Sequence, residues 1–211
     1  MLYTETVTPT CLAILKRVME IYEFEHFRLV GGTALSLRYG HRISEDIDLF
    51  SNQNFDNVEL EKLVRFYFIE NEIGDFRQQP FGLFCLIENI KADFIFWGDE
   101  FIEDFETTEG IRIASDKDIF AMKLSAAMNR GAKKDFIDLA LLLQNYSMGQ
   151  GIEWYKKKFP YNDEIIPLKT LTDFERAEEQ TTPILLTSKN WETCKTIIIE
   201  AVKGFVENEQ F

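Results

Sequence analysis

Leu29-Val30-Gly31-Gly32-Thr33-Ala34-Leu35-Ser36-Leu37-Arg38-Tyr39-Gly40-His41-Arg42-Ile43-Ser44-Glu45-Asp46-Ile47-Asp48-Leu49-Phe50 decides how this chain is read. It opens with residues of strand character, turns through two glycines, passes a short helical segment ended by Gly40, and returns to a strand bearing two carboxylates. Glycines at 31 and 32 leave the backbone bare just before a helix, where N–H groups can approach an anion that the helix dipole favours. Strand alternation places Asp46 and Asp48 on one face and Ile47 and Leu49 on the other. Magnesium commonly sits between one or two carboxylates and substrate phosphates. A phosphate cradle beside a two-acid strand therefore points to phosphoryl or nucleotidyl transfer. A lone Asp-x-Asp would say little; here it follows glycines, helix and strand in the required order.

A third acid extends the pattern. Phe81 to Ile87 and Ile90 to Trp97 read as a hairpin turning at Glu88-Asn89, and Asp93 lies among Ala92, Phe94, Ile95 and Phe96. An acid there is out of place unless it faces a site, so Asp93 is the candidate third carboxylate. Around this core, Pro9 to Tyr22 carries a helical apolar stripe and Phe27 to Val30 reads as the first strand. Asp56-Asn57-Val58-Glu59 has the form of a capping box before a helix running to about Glu70.

The 211 residues suffice for one large domain or two small ones, and 45% hydrophobic content supports a core. No basic leader and no long apolar run is present, so a cytoplasmic protein without a membrane association is expected. Cys11, Cys85 and Cys194 are odd in number and far apart, and read as buried thiols. Only His26 and His41 exist, which excludes a histidine-rich zinc site, and His26 reads as structural among aromatics. A net charge of −13 argues against broad nucleic-acid binding but leaves room for a local basic groove. Arg130, Lys133 and Lys134 form one basic cluster; Lys156, Lys157 and Lys158 form another, read as a solvated surface.

A short strand is expected at 111–114, and from Ser115, a helix cap, the chain turns helical: 118–130, 134–146, 153–158, 168–179 and 190–208, punctuated by Pro160, Pro167 and Pro183. Lys123 and Arg130, seven apart, share a helix face with Ala126 and Ala127, whose small side chains leave room for a ligand. A lysine there can hold a triphosphate, while Asp135 or Asp138 orients it or accepts a proton. The plain alternative is a solvated face with two acids favouring a helix N-terminus.

Gly-Gly, thirteen intervening residues, then Asp-x-Asp resembles the signature of the nucleotidyltransferase superfamily related to DNA polymerase beta. The string His41 to Phe50 resembles, more narrowly, the AbiEii/AbiGii-type nucleotidyltransferase toxin family. Lys-x6-Arg followed by Lys-Asp-Phe-x-Asp-Leu resembles that family's later block, which implies functional roles for Lys123 and Asp135. Arg130 then binds phosphate or fixes the Asp135 loop, and Asp138 ranks lower. Leu171, Phe174, Ala177-Glu178, Pro183 and Trp191 resemble its closing helical region, so the similarity runs from about Phe27 to the C-terminus. Many superfamily members have Gly-Ser where this chain has Gly31-Gly32-Thr33; Thr33 keeps a hydroxyl as a candidate phosphate contact.

The resemblance implies an α+β fold: a mixed nucleotidyltransferase-type sheet with flanking helices, followed by a helical C-terminal half. Residues 1–114 would be the catalytic core and 115–211 a helical domain contributing to the active-site cleft. The expected activity is Mg2+-dependent transfer of a nucleoside monophosphate from an NTP to an acceptor hydroxyl. Asp46, Asp48 and Asp93 would bind metal, with Asp93 alternatively polarising the acceptor. Gly31, Gly32, Thr33, Lys123 and Arg130 would hold the nucleotide. Arg42 and Ser44, just before the acids, are expected either to touch phosphate or to fix the loop. The implied acceptor is RNA, such as the acceptor end of tRNA, and the implied partner is an antitoxin of a toxin–antitoxin or abortive-infection system. The acidic balance fits a cationic small-molecule acceptor, as in aminoglycoside nucleotidyltransferases, better than RNA. A non-catalytic or protein-modifying role on the same fold is the third reading.

Overall fold

Pro9 in the first turn and the Thr8 hydroxyl, which accepts from the Cys11 amide, start α1 (Pro9–Glu20). The decisive stretch then folds as β1 (Arg28–Leu29), α2 (Gly31–Tyr39), capped by left-handed Gly40, and β2 (Ile47–Ser51). The computed structural model describes residues 1–160, 168 and 170–209. Two compact units divide the chain, Met1–Ala114 and Ser115–Phe211.

In the first unit, α3 (Asn57–Tyr67) begins at Asp56, whose carboxylate accepts from the amides of Val58 and Glu59. Glu59 pairs with Lys62 at 2.7 Å, so the cap works through Asp56. The strands β3 (Ile73–Gln79), β4 (Gly82–Ile87), β5 (Ile90–Phe96), β6 (Glu106–Thr108) and β7 (Ile111–Ile113) complete a seven-stranded sheet, order β3-β4-β5-β2-β1-β7-β6. It is mixed: β2 runs parallel to β5 and β1 parallel to β7, while the other neighbours are antiparallel. The fold is α+β, as expected.

One ladder positions the site. The β4–β5 turn carries positive φ at both Glu88 (50°) and Asn89 (61°), the conformation that matches a two-residue turn to strand twist. That turn sets the β4–β5 register, with Ile87 opposite Ile90, and on the other edge of β5 the parallel β2 places Asp48 opposite Asp93, with Ile47 opposite Ala92 and Leu49 opposite Phe94. Alternation then sends Ile47, Leu49, Ala92 and Phe94 to a buried face and Asp48 and Asp93 to the other. Behind the buried face Phe24, Phe27 and Phe94 pack with centroids 5.3–6.2 Å apart. Arg112 ties the chain there, donating to the carbonyls of Met19, Phe24 and Phe27.

The second unit is built from α4 (Asp116–Arg130), α5 (Lys133–Leu142), α6 (Met148–Lys158), α7 (Glu175–Glu178) and α8 (Trp191–Glu209). Ser115 caps α4 by accepting from the Asp118 amide, and Ser147 with Gln150 forms a complete capping box on α6. Gly151 lets α6 lie against α4, because a β-carbon there would collide with the Phe120 ring. Among the described residues no helix is long and apolar enough to cross a membrane.

Several expectations change. β3 and β6 were not expected, and Asp46 precedes β2 rather than lying in it. The helix expected over 168–179 is interrupted: Leu168 and Thr170 are helical, a turn follows at 171–172, and the four-residue α7 comes after it. Pro167 lies outside the described residues. Lys158 is not on a solvated surface: its ammonium, 0% exposed, pairs with buried Asp118 at 2.7 Å, and the Ser115 hydroxyl donates to the same carboxylate.

Candidate active site

Gly31 is where the sequence, backbone and chemistry meet. Its φ of +72° is a conformation that L side chains rarely adopt, and a β-carbon there would lie 2.5 Å from Asp48 Oδ2. The Val30 amide donates to the Asp48 carbonyl at 2.9 Å, so backbone and side chain of Asp48 are both held against the start of α2. Val30 caps α2 without a side-chain hydrogen bond, and the first turn holds no acid. The leading amides of that helix thus open beside a carboxylate, an arrangement suited to a phosphate bridged by a cation.

The loop carrying Asp46 is fastened from below. Thr33, 1% exposed, places its hydroxyl 2.9 Å from the Ser44 hydroxyl and donates to the Asp46 carbonyl. A hydroxyl has one proton, and the carbonyl can only accept, so Ser44 is the donor in the other bond. The Ser44 amide donates to the Thr6 carbonyl at 2.9 Å, and the buried Arg42 guanidinium donates to the Ile43 carbonyl. Thr33, expected as a phosphate contact, spends its proton on the loop.

Asp93 is 4% exposed, and its Oδ1 has no hydrogen-bond partner among the described residues. Its Oδ2 meets the Lys91 ammonium at 2.6 Å. Lys91 escaped notice as a site residue, although period-two spacing puts it on the face of Asp93. Burial lowers its pKa, but the hydrogen bond and charge of Asp93, followed by the charges of Asp48 and Asp46, win and raise it. One ammonium therefore feels all three predicted acids.

In the second unit the predicted residues Lys123, Arg130 and Asp135 converge. Lys123 Nζ is 2.9 Å from Asp135 Oδ1 and 2.6 Å from Asp138 Oδ2, with both carboxylates wholly buried. Arg130 grips Asp135 with two bonds, Nε to Oδ2 at 2.6 Å and a terminal nitrogen to Oδ1 at 2.8 Å. Burial pushes the Asp135 carboxyl up, but the Lys123 and Arg130 cations hold it below its ordinary value. Lys123 thus sits between two acids of α5. Asp138 is as much a partner of Lys123 as Asp135 is.

The chain matches the model of the family described as nucleotidyl transferase AbiEii toxin, type IV TA system, over residues 13–196. It belongs to that family. An uncharacterized protein of Aquifex aeolicus is 33% identical over 204 residues, covering 92% of this chain and 95% of that protein. A Helicobacter pylori structure provisionally assigned as a nucleotidyltransferase superposes with a TM-score of 0.63 at 17% identity, covering 95% of this chain and 96% of that one. The nucleotidyltransferase toxin MenT4 of Mycobacterium tuberculosis H37Rv gives a TM-score of 0.51 at 13% identity, covering 92% and 81%.

For an AbiEii-family nucleotidyltransferase the donor set fits a hard divalent cation. Asp48 and Asp93 project from paired positions, Asp93 Oδ1 is a buried acceptor awaiting a partner, and Lys91 already supplies one positive charge there. Among the described residues no three His, Cys, Asp or Glu side chains are gathered tightly enough to form a cage by themselves. Magnesium does not require one, since it keeps waters and takes ligands from substrate phosphates.

Proposed function

We propose that this enzyme transfers a nucleoside monophosphate from an NTP to a hydroxyl of RNA, in the first instance the end of a tRNA, as the toxin of a system with a cognate antitoxin. The acceptor oxygen attacks the α-phosphorus, a new P–O bond forms, the bond to the β-phosphate oxygen breaks, and pyrophosphate leaves with the electron pair. Asp46, Asp48 and Asp93 are the residues that would hold Mg2+, which when bound offsets the charge of the phosphates. Gly31 and Gly32 present backbone N–H groups to the phosphates. Asp93 is placed to take the acceptor proton if it does not serve as a ligand. Lys123, Arg130 and Asp135 are assigned to nucleotide binding and proton transfer in the same reaction, from their match to the family's later block. The pool of NTPs and tRNA makes the cytoplasm the place of action.

The observation that carries this reading is the approach of Asp48 to Gly31, which joins a carboxylate to an open helix N-terminus. The test is incubation with magnesium, each of four labelled NTPs and total tRNA, with Asp46→Ala and Asp48→Ala as controls. Label in RNA that is lost in both variants supports the RNA-directed enzyme and names its nucleotide. Label that enters no RNA, while metal-dependent NTP binding persists, turns the assignment to another acceptor. The net charge of −13 favours a cationic small molecule as that second reading.

A further inference from the structure

We propose that Lys91 is a positioning residue that acts through Asp93: its ammonium is a resident counter-ion which keeps the acid pair assembled before a divalent cation arrives and must release Asp93 when one binds. The inference rests on the reading of Asp46, Asp48 and Asp93 as the metal-binding acids. Paired strand positions fix Asp48 and Asp93 on one sheet face, and burial of Asp93 keeps water from screening them. Two ionised carboxylates held that way repel unless a cation lies between or beside them. Lys91 meets the need from two residues away, at 2.6 Å from Asp93 Oδ2.

The two partners differ in freedom. Asp93 is 5% exposed at its side chain and cannot move far, whereas Lys91 is 45% exposed on a flexible four-carbon stem and can swing to solvent. Incoming metal therefore gains Asp93 at the expense of the Lys91 ion pair, and the lysine weakens metal affinity by the worth of that pair. A half-exposed pair of this kind corresponds to roughly a two- to fivefold change. The same competition favours release of metal and pyrophosphate after transfer.

The test is titration of the full chain with Mn2+ by calorimetry or electron paramagnetic resonance, without nucleotide. Lys91→Met, with Lys91→Gln as a second neutral variant, is expected to bind Mn2+ roughly two- to fivefold more tightly than the parent, and Lys91→Arg to match the parent. Unchanged Mn2+ affinity in both neutral variants, with weakened NTP binding, overturns the proposal and makes Lys91 a phosphate contact. Mn2+ binding that is absent in the parent, or unaffected by Asp48→Asn, overturns the metal reading itself and the Lys91 proposal with it. That failure is separate from the first, because it appears in the parent and in Asp48→Asn rather than in the Lys91 variants.

Discussion

Gly31 faces Asp48 across the start of α2, so closely that a methyl group on Gly31 would stand 2.5 Å from Asp48 Oδ2. Gly31→Ala is thus expected to act on the carboxylate more than on the fold. Its positive φ costs an alanine about 1–2 kcal/mol, which a core of this size absorbs. Displacement of Asp48 should lower Mn2+ affinity at least roughly tenfold, the worth of one lost charge-assisted ligand. Urea denaturation and Mn2+ titration of the variant measure the two effects separately. Native Mn2+ affinity in Gly31→Ala would mean that this contact does not aim Asp48.

Thr33 offers a test of fastening against ligand contact. Thr33→Val keeps the shape but strands the Asp46 carbonyl and the Ser44 hydroxyl, and leaving such buried groups unpaired costs about 1–3 kcal/mol. Thr33→Ser keeps both bonds and should stay within about 0.5–1 kcal/mol of the parent, losing one methyl. Urea midpoints without nucleotide settle it. Equal stability of Thr33→Val and the parent would remove the fastening role and return Thr33 to the phosphates.

Lys123 is balanced by two buried carboxylates, so Lys123→Met should unfold the chain more easily by about 3–5 kcal/mol. The acid limb of stability carries a second signature. The folded Asp135 carboxyl titrates below its ordinary value of 3.8, so the ion cluster contributes fully above that pH and its contribution is lost as pH falls through the depressed value. Urea midpoints measured from pH 7 downward should therefore fall most steeply below about pH 4, and that limb should flatten in Asp135→Asn. A parallel fall in the variant would exclude Asp135 as its source. Arg130 is 58% exposed, and Arg130→Ala should cost no more than about 1 kcal/mol.

What the chain discloses before folding depends on whether a residue's reason is local. Gly31 and Asp48 are legible because a glycine turn, a short helix and an acid on a strand each follow from neighbours in sequence. Asp93 is legible as the one acid in an apolar run. β3 is not: Gly74, Asp75, Arg77, Gln78 and Gln79 carry no strand pattern, and pairing with β4 imposes it on an exposed edge. Lys158 looks solvated among three lysines because its partner Asp118 lies forty residues away. The bonds of Thr33 to Ser44 and Asp46 are hidden for the same reason, since those partners lie eleven and thirteen residues away. Lys91-x-Asp93 was within reach of strand alternation, but a lysine beside an acid ordinarily marks a surface.

The cysteines report where metal binds without any assay of transfer. Burial pushes the Cys85 thiol up to about 12 and the Cys11 thiol up to about 11, with Asp93 and Asp46 respectively adding to the effect. Burial also raises Cys194. At pH 8 almost no reactive thiolate exists in the folded chain, whereas an unfolded thiol near 8.5 reacts readily. A thiol-specific reagent should therefore label the native protein only through opening, at a rate set by the stability of the region around each cysteine. Cys11 and Cys85 belong to the first unit, which also carries Asp46, Asp48 and Asp93. Mn2+ at about a hundred times its dissociation constant adds about 2.7 kcal/mol to the stability of the folded form that binds it. Labelling of Cys11 and Cys85, mapped by mass spectrometry, should slow by up to roughly a hundredfold. Should their rates stay unchanged while Mn2+ is bound, the cation is held by something other than the three acids of the first unit.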